Sequence, residues 1–484
     1  MKTILSIGLS LCLPLAAFAS AADQTNIIII FTDDQGYADV GCFGAEGFET
    51  PHLDRMAAEG RKFTNFHVAQ AVCSASRAAL LTGCYPNRIG IHGALGPNAR
   101  TGLSTEETTI ADLLKAKGYA TCAIGKWHLG HHPEFLPLRH GFDEFLGIPY
   151  SNDMWPLHPD MDKLAPSVAA RRSAFPPLPM IEDDGIANPE ITAADQAQFT
   201  TVFTERAVSF IERHKDEPFF IYLAHPMPHV PLYVSEKFEG KSEQGLYGDV
   251  IMEIDWSVGQ ILEALETHGL VDNTWVVFTS DNGPWLSYGD HGGSAKPLRE
   301  GKGTAWEGGT RVPCIMRWPG KIPAGTTSDD MLMTIDLLPT IAKTIGADLP
   351  ELPIDGRDVR PLLFDEPGAR NPHDHYFFYY NRNELHAVTT ADGKWKLYLP
   401  HSYRTLAGRP GGTDGLPASY QMRRITAPEL YHLKDDISET TDVAADYPEV
   451  VQQLLEAADH IRADLGDALT GKPATRARQP GRLE

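Results

Sequence analysis

In the stretch Asn26-Ile27-Ile28-Ile29-Ile30-Phe31-Thr32-Asp33-Asp34, an unbroken apolar run ends in two adjacent carboxylates. A continuous run of this kind is typical of a strand that is buried on both faces of a parallel sheet. In open α/β sheets, ligands bind at the carboxyl ends of the strands. The stretch therefore predicts a central strand over residues 26–32 that carries Asp33 and Asp34 at the ligand-binding edge.

Three further segments have the same continuous apolar character, and helical patterns lie between them. The predicted strands are residues 119–124, 218–224 and 274–280, and the predicted helices are residues 108–117, 204–214 and 248–266. Such alternation favours an α/β fold with a mainly parallel sheet and helices on both faces.

Polar residues follow each predicted strand at its carboxyl end. After the first strand come the two aspartates, and after the others come Gly125-Lys126-Trp127-His128, the turn from His225 to His229, and Asp281-Asn282-Gly283. Because these ends share one edge of the sheet, we expect residues that are far apart in sequence to meet in one crevice.

The chain of 484 residues is longer than a single hydrophobic core usually supports, which is about 250 to 300 residues. We predict a catalytic domain over residues 22–368 and a smaller α+β subdomain over residues 369–484. In the α+β subdomain, the pattern predicts antiparallel strands, a terminal amphipathic helix over residues 449–465, and a frayed basic tail after Gly471. The predicted strands are residues 375–380, 386–390 and 394–399.

Residues 154–189 are rich in proline and acidic residues and have no clear period. This composition predicts a long excursion over the surface. Both a lid and a tolerated surface insertion are compatible with it.

The N-terminus has the pattern of a secretory signal peptide over residues 1–21. Lys2 precedes an apolar run over residues 4–17, and small residues then offer A-x-A cleavage sites. The run is too short to span a bilayer, so we expect an exported protein, periplasmic or extracellular, without a membrane span. A formal net charge of -22 excludes general electrostatic binding to nucleic acid or anionic lipid.

Five cysteines remain after the predicted signal peptide, which is an odd number in an oxidising compartment. One of them must be unpaired or modified, and the other four are either paired or reduced and buried. Cys73 stands in the string Cys73-Ser74-Ala75-Ser76-Arg77, ahead of a predicted helix whose N-terminus attracts anions. The pentapeptide alone would favour a structural cysteine.

Asp33-Asp34 and Asp281-Asn282 are pairs of hard oxygen ligands on two separate strand ends. Their chemistry suits calcium or magnesium and does not suit zinc. Either pair alone fits solvated carboxylates or a helix cap. Two pairs on the same predicted edge favour a metal site, and we predict calcium rather than magnesium.

Three loops carry cations or histidines. Lys126 and His128 share one short loop at a strand end, and Lys302 lies in the string Glu300-Gly301-Lys302-Gly303-Thr304, which lacks the pattern of a nucleotide loop. The prolines between His225 and His229 forbid the helix that would align the two rings, so we reject a zinc site there.

Together these strings resemble the type I formylglycine-dependent sulfatases, especially the branch of arylsulfatase A and the N-acetylgalactosamine sulfatases. The matching strings, in chain order, are FTDDQGYADVGCFG, CSASRAALLTG, GKWHLG, GFDEFLGIPYSNDM, SDNGP, GKGTAWEGGTRVP and PELYHLKDD. The resemblance implies an alkaline-phosphatase-like fold, one calcium ion, and removal of sulfate from a sulfated carbohydrate or aryl sulfate. It also implies a maturation enzyme that oxidises Cys73 to formylglycine, although Ala75 replaces the commoner proline of the signature.

The resemblance assigns a role to each site residue. Lys126 would contact sulfate and the nucleophile, His128 would be the base for sulfate release, His229 would touch the ester oxygen, and Lys302 would bind sulfate and protonate the leaving alcohol. The implied metal ligands are Asp33, Asp34, Asp281, Asn282 and modified Cys73, and the implied sulfate pocket is Arg77, Lys126, His128, His229, Lys302 and, as a further polar contact, Ser151. His401 lies where the branch brings a C-terminal residue toward substrate, but its surroundings favour a surface histidine.

A formylglycine has a chemical reason in such an enzyme, because one hydroxyl of its hydrate can attack sulfur while the other later expels sulfate. Two alternatives to a sulfatase stay open: a phosphonate or phosphodiester hydrolase of the same superfamily, and an unmodified protein that only binds sulfate. For the substrate, a sulfated polysaccharide fragment is our hypothesis. Four aromatic residues that flank the motifs could stack on it or pack in the core: Tyr150, Trp155, Trp285 and Trp306.

Overall fold

In the computed structural model, which describes residues 24–159 and 161–483, Asn26–Thr32 forms a strand whose seven residues are all buried. The predicted signal peptide lies outside the described residues. The strands, in chain order, are β1 (Asn26–Thr32), β2 (Arg61–His67), β3 (Thr101–Gly102), β4 (Ala120–Lys126), β5 (Glu144–Ile148), β6 (Met180–Glu182), β7 (Gly185–Asn188), β8 (Phe219–Ala224), β9 (Thr274–Ser280), β10 (Arg311–Arg317), β11 (Thr326–Ser328), β12 (Leu332–Met333), β13 (His375–Tyr380), β14 (Glu384–Thr390), β15 (Trp395–Tyr398), β16 (His401–Thr405), β17 (Gln421–Ile425), β18 (Glu429–His432) and β19 (Gly481–Arg482).

Helices lie between most of these strands. The α-helices are α1 (Pro51–Glu59), α2 (Cys73–Thr82), α3 (Ile110–Ala116), α4 (Pro166–Ser173), α5 (Ala193–Gln196), α6 (Phe199–Arg213), α7 (Leu246–Thr267), α8 (Glu307–Thr310), α9 (Leu337–Ile345), α10 (Arg360–Leu363) and α11 (Pro448–Leu465). Short 3₁₀ helices cover Gly41–Phe43, Pro133–Phe135, Pro137–Arg139, Val271–Asn273, Leu286–His291 and Thr334–Asp336.

The large sheet has the strand order β11-β2-β10-β9-β1-β8-β4-β5-β6-β7, and β12 also pairs with β2. Strands β9, β1, β8, β4 and β5 run parallel. On one side β10 pairs antiparallel with β9 and β2, and β11 and β12 pair parallel with β2; on the other side β6 pairs antiparallel with β5 and β7. This confirms the predicted α/β fold with a mainly parallel sheet flanked by helices. The predicted strand over residues 119–124 extends to Lys126, because Gly125 and Lys126 still pair with β5.

The isoleucine run of β1 serves two cores at once. Ile27, Ile29 and Phe31 face a core that includes apolar residues of α3 and α9, while Ile28 and Ile30 face a core built largely on α6 and α7. Because successive side chains of a strand point to opposite faces, a strand covered on both sides must be apolar throughout. The continuous run is therefore the direct result of helices on both faces.

The C-terminal part contains a four-stranded antiparallel sheet, in the order β13-β14-β15-β18, with α11 packed against it. This confirms the predicted antiparallel strands and terminal helix. A separate hairpin of β16 and β17 was not predicted. The boundary between residues 368 and 369 stays a prediction.

The prediction of a frayed tail is wrong. Strand β19 pairs antiparallel with β3, and the Arg478 guanidinium donates to both carboxylate oxygens of Glu107 at 2.6 and 2.7 Å. The basic composition that suggested fraying attaches the tail, since Arg476 likewise donates to Asp464 at 2.8 Å.

The excursion over residues 154–189 is more ordered than its composition suggested. It contains α4 and the hairpin of β6 and β7, and β6 pairs antiparallel with β5. The hairpin thereby extends the edge of the large sheet.

A buried ion pair joins the C-terminal sheet to the large domain. Lys396 of β15 lies 2.7 Å from one carboxylate oxygen of Glu307, both side chains are fully buried, and Arg311 lies 3.2 Å from the other oxygen. Burial alone would raise the pKa of Glu307, but Lys396 and His67 hold it below its usual range. The Glu307 N–H donates to Glu439 at 2.9 Å, so a second buried carboxylate belongs to the same network.

Replacing Lys396 by methionine is expected to lower the free energy of unfolding by about 3 kcal/mol, because a buried carboxylate loses its closest cation. Chemical denaturation followed by circular dichroism would measure the change. Lys434→Met is the matched control: Lys434 also pairs with a carboxylate across the two parts, Asp329 at 2.6 Å, but these side chains are 39% and 75% exposed. The control should cost less than about 1 kcal/mol. Equal losses in the two variants would contradict the prediction.

Candidate active site

Polar side chains from four adjacent strands meet at the carboxyl edge of the large sheet. Since β9, β1, β8 and β4 are neighbours, their ends place the following residues side by side: Asp281 and Asn282, Asp33 and Asp34, His229, and Lys126. All of these side chains are buried.

Cys73 is the first residue of α2, and its thiol faces this cluster. The sulfur lies 3.7 Å from Asp33 Oδ1 and 3.5 Å from Lys302 Nζ, and the residue is 2% exposed. Burial raises the pKa of the Cys73 thiol to about 12, although Lys126 and Lys302 act in the opposite direction. As encoded, Cys73 is a neutral thiol and therefore a poor nucleophile.

Arg77, one turn after Cys73, ties three strand ends together. Its guanidinium donates two hydrogen bonds to Asp281 Oδ2, at 3.1 and 2.8 Å, and lies 3.2 Å from Asp33 Oδ2. It also donates to the backbone carbonyl of Lys126 at 3.0 Å. A fully buried arginine with this many acceptors has a fixed orientation.

Lys126 reaches the same carboxylate from the end of β4. Its ammonium contacts Asp33 and donates to Ser151 Oγ at 3.0 Å. Burial would raise the pKa of Asp33, but Lys126 and Arg77 lower it below its usual range. Asp33 is therefore an ionised carboxylate in the protein interior, and Ser151 lies beside the Lys126 ammonium.

Lys302 occupies the other side of the cluster. Its ammonium lies 2.6 and 2.8 Å from the two oxygens of Asp34, which also accepts from Asn282 Nδ2 at 2.7 Å. The Trp285 ring centroid lies 4.5 Å from the same ammonium. Burial would lower the pKa of Lys302, but Asp34 and its neighbours raise it, so Lys302 is a cation.

Each of the two predicted histidines contacts a carbonyl through one ring nitrogen. His128 Nε2 donates to Leu95 O at 2.8 Å, and His229 Nδ1 donates to Val230 O at 2.6 Å. Burial lowers the pKa of both rings, helped by Lys126 at His128 and by Lys302 at His229. Each neutral ring therefore keeps its other nitrogen as an acceptor.

The side chains fit a divalent cation. Donor atoms of Asp33, Asp34, Cys73 and His229 all lie within 4.8 Å of one another. The buried Oδ1 of Asn282 has no hydrogen-bond partner among the residues that the structure describes, so it is available as a ligand. Carboxylate and amide oxygens are the ligands of hard cations such as Ca²⁺.

The predicted and observed clusters overlap without being identical. His229 belongs to the observed group although the sequence did not assign it to the metal, and Asp281 lies just outside, with Oδ1 accepting from the Asp34 N–H at 3.1 Å. Metal binding by the predicted set stays a prediction.

Charge balance at the site favours an anionic ligand once a metal is bound. The carboxylates of Asp33, Asp34 and Asp281 face the cations of Arg77, Lys126 and Lys302. A divalent ion would make this pocket positive in a protein whose net charge is -22. The pocket would then attract an anion that the rest of the surface repels.

The aromatic residues that flank the motifs have different roles. Trp285 lies at the site, with its ring 5.5 Å from that of His229. Trp155, Trp306 and Tyr150 are buried in the hydrophobic clusters, so they act in packing.

The structure also separates the remaining histidines and cysteines from the site. His225 turns away from His229 and lies 3.2 Å from Ser257 of α7. The expectation that His401 is a surface histidine is wrong, because its ring is buried and stacks at 3.8 Å on that of His386. Within residues 24–159 and 161–483, all five cysteines are free. Besides Cys73, three of them are buried as expected for reduced thiols, whereas Cys42 is half-buried.

Sequence reasoning missed Arg404 and Arg172. Arg404 of β16 donates through Nε to Lys302 O at 3.0 Å, and Arg172 of α4 donates to Asp153 O at 2.6 Å, two residues after Ser151. Neither arginine lies in a motif, and both contacts depend on how distant segments dock. The sequence carries no local signal for them.

Comparison with known proteins agrees with these observations. Residues 25–347 match the family described as Sulfatase, and residues 371–475 match the C-terminal region of aryl-sulfatase. The chain is 38% identical to arylsulfatase A from Homo sapiens, over 97% of this chain and 94% of that protein. It is 36% identical to N-acetylgalactosamine-6-sulfatase from Mus musculus, over 94% of this chain and 89% of that protein. The crystal structure of PsFucS1 sulfatase from Pseudoalteromonas sp. is similar with a TM-score of 0.82 and 26% identity, over 95% of this chain and 93% of that chain.

Proposed function

Because the chain belongs to the sulfatase family and has its alkaline-phosphatase-like fold, we propose that it removes sulfate from a sulfated carbohydrate through a formylglycine made from Cys73. Sulfate ester hydrolysis follows from the family itself. The observation that carries the finer proposal is the position of Cys73, whose sulfur lies within 3.7 Å of both a carboxylate and a lysine in a pocket of mixed charge.

The state of the encoded thiol supports its modification. With a pKa of about 12, Cys73 would not supply a thiolate at neutral pH. The hydrate of formylglycine supplies one hydroxyl to attack sulfur and a second whose deprotonation expels sulfate. A maturation enzyme that acts during export is therefore part of the proposal.

The residues around Cys73 divide the remaining work. Lys126, Lys302 and Arg77 hold and neutralise the sulfate oxygens, and Ser151 orients the Lys126 ammonium. Lys302 and His229 lie next to each other on the Asp34 side of the pocket, where the Lys302 ammonium can protonate the leaving oxygen and His229 can contact the ester oxygen. His128, neutral and with an available ring nitrogen, accepts the proton when sulfate is released.

One calcium ion is the proposed cofactor, held by Asp33, Asp34, Asp281, Asn282 and the modified Cys73. When bound, such an ion stabilises negative charge on the transferring group and polarises the nucleophile. The unpartnered Asn282 Oδ1 and the four clustered donor atoms support this assignment.

Export to the periplasm or the exterior stays part of the proposal, because it depends on the predicted signal peptide. Among the described helices, none combines the length and apolar character that a bilayer crossing requires.

His128 should control the acid side of the pH profile. A base must be neutral to act, so activity is lost as pH falls through its pKa, and burial lowers that pKa below the ordinary value of 6.5. We expect kcat to hold its plateau at pH 6.5 and to decline only at lower pH. His128→Gln should lower kcat by about 10²-fold and remove this decline. A wild-type decline centred above pH 6.5, or an unchanged decline in the variant, would contradict the assignment.

A substrate panel tests the proposed function. Sulfate release would be measured from sulfated oligosaccharides, including galactosamine sulfates, and from 4-nitrophenyl sulfate. Hydrolysis of an aryl ester of phenylphosphonate and of a phosphodiester would be measured in parallel. We expect kcat/KM to be highest on a sulfated sugar. Activity confined to the aryl sulfate would overturn the carbohydrate proposal, and faster turnover of the phosphorus esters would favour the phosphonate or phosphodiester hydrolase.

A further inference from the structure

The turn that carries Lys302 is held by backbone contacts from two sides of the catalytic centre. The Lys302 N–H donates to Pro284 O at 3.0 Å, just after the strand end that carries Asn282. The Gly303 N–H donates to Ala71 O at 2.9 Å, two residues before Cys73. These two contacts fix the turn relative to the catalytic domain, but they leave the Lys302 carbonyl to another partner.

That partner comes from the C-terminal part. Arg404 of β16 donates to Lys302 O through both Nε, at 3.0 Å, and Nη2. The next residue, Thr405, donates to Glu300 Oε1 at 2.6 Å. Two successive residues of β16 thus bind two residues of the turn, Lys302 and Glu300.

The approach of Arg404 to the turn is close. Gly303 has a φ of +81°, and a Cβ added to it would lie 2.2 Å from Arg404 Nη2. The guanidinium lies 4.8 Å from the Tyr420 ring centroid and 5.9 Å from that of Trp285, which itself covers the Lys302 ammonium. A planar fork with two donors and aromatic neighbours is a geometry that lysine cannot reproduce.

We propose that Arg404 is a positioning residue for Lys302, so that the C-terminal part sets how accurately this lysine reaches the leaving oxygen. The inference rests on the proposed role of Lys302 in protonating the leaving alcohol. Arg404 itself contacts the turn through the carbonyl and takes no part in nucleophilic attack. Its loss would loosen the Lys302 backbone while leaving Cys73, Asp33 and Arg77 in place.

Such a role predicts a dependence on the leaving group that general destabilisation would not produce. Esters of weakly acidic alcohols need a proton at the leaving oxygen, whereas esters of strongly acidic phenols leave without one. Misplacement of a catalytic group by about 1 Å can lower a rate by about 10²-fold. The loss in an Arg404 variant should therefore grow as the leaving alcohol becomes less acidic.

The test is kcat for a series of aryl sulfates of graded phenol acidity, with wild type, Arg404→Ala, Arg404→Lys and Lys302→Ala. For Arg404→Ala we expect a decrease of about 10-fold or more with the least acidic phenol and less than about twofold with the most acidic one. The decrease in kcat for Arg404→Lys, which keeps one donor, should be smaller than that for Arg404→Ala. In the double variant with Lys302→Ala, Arg404→Ala should lower kcat little beyond the effect of Lys302→Ala alone. The Lys variant also keeps the test decisive if Arg404→Ala does not fold.

Arg409→Ala is the matched control. Arg409 follows the same strand and donates to backbone carbonyls of Leu406 and Ser419, at 3.0 and 2.8 Å, without contacting the Lys302 turn. It should leave all rates unchanged. Equal losses on every aryl sulfate in Arg404→Ala, or full additivity with Lys302→Ala, would overturn the positioning role. A wild-type protein that released no sulfate would instead overturn the proposed function.

Discussion

Replacing Cys73 by serine is expected to lower kcat for sulfate ester hydrolysis by at least about 10³-fold. Serine has the size and position of the encoded residue, but it cannot become an aldehyde hydrate. A sulfated serine would have no second hydroxyl with which to expel sulfate, so it would wait for attack by water. Single-turnover and steady-state measurements with an aryl sulfate would show the loss. Slow accumulation of a sulfated serine at position 73 would show that the reaction of the variant stops before sulfate release.

Cys84→Ser provides the control for this substitution. Cys84 is also buried and follows α2, but its sulfur contacts Thr82 O at 3.5 Å and Arg478 at 3.3 Å instead of the carboxylate cluster. It should keep nearly full activity. Mass spectrometry of the Cys73 peptide should show the aldehyde in wild type. An unmodified thiol in an inactive wild-type protein would favour the sulfate-binding alternative, and a Cys73→Ser variant of normal kcat would refute the proposed nucleophile.

Removal of divalent metal by a chelator should lower kcat by about 10³-fold, since electrostatic stabilisation by such an ion contributes several kcal/mol. Added Ca²⁺ should restore activity more completely than Mg²⁺, because the site offers a cluster of oxygen ligands rather than a rigid octahedral set. Full activity in a preparation shown by elemental analysis to contain no metal would contradict this prediction.

Asn282→Ala sharpens the metal test, because it deletes the buried oxygen without changing the charge. We expect the Ca²⁺ concentration for half-maximal activity to rise by about 10- to 100-fold. Asn273→Ala, near the opposite end of β9, is the control: Asn273 Nδ2 donates to Gln24 O at 2.8 Å, far along the strand from the cluster. Equal Ca²⁺ dependence in the two variants would argue against Asn282 as a ligand.

Much of the fold was predictable because each central strand is apolar along its whole length. The isoleucines of β1 and the run of β9 leave no choice of exposed face, so a sheet covered on both sides follows from the sequence. The end of β4 was less predictable, since Lys126 is polar and its place in the strand depends on pairing with β5. The predicted strand therefore ended at residue 124, because the sequence shows the polarity of Lys126 but not its pairing with β5.

The candidate site was predictable where motifs stand at strand ends, and less so where distant segments dock. Cys73, Lys302 and Asp34 come from separate motifs, and the structure brings them together. The hairpin of β16 and β17 has a mixed polar sequence without a clear period, so neither the strand nor the contact of Arg404 was foreseen. The half-buried contact of Arg478 with Glu107 was missed for the same reason, because a basic segment gains order only from its acidic partner.

The buried ion pair between Glu307 and Lys396 limits which segments of this protein can be exchanged with those of its relatives. A chimera that exchanged everything after residue 368 would keep the buried Glu307 carboxylate, and it would fold well only if the new segment carried a cation at the position of Lys396. Substitutions at Glu307 and at Lys396 are therefore expected to occur together during evolution, so the two parts are not interchangeable between relatives.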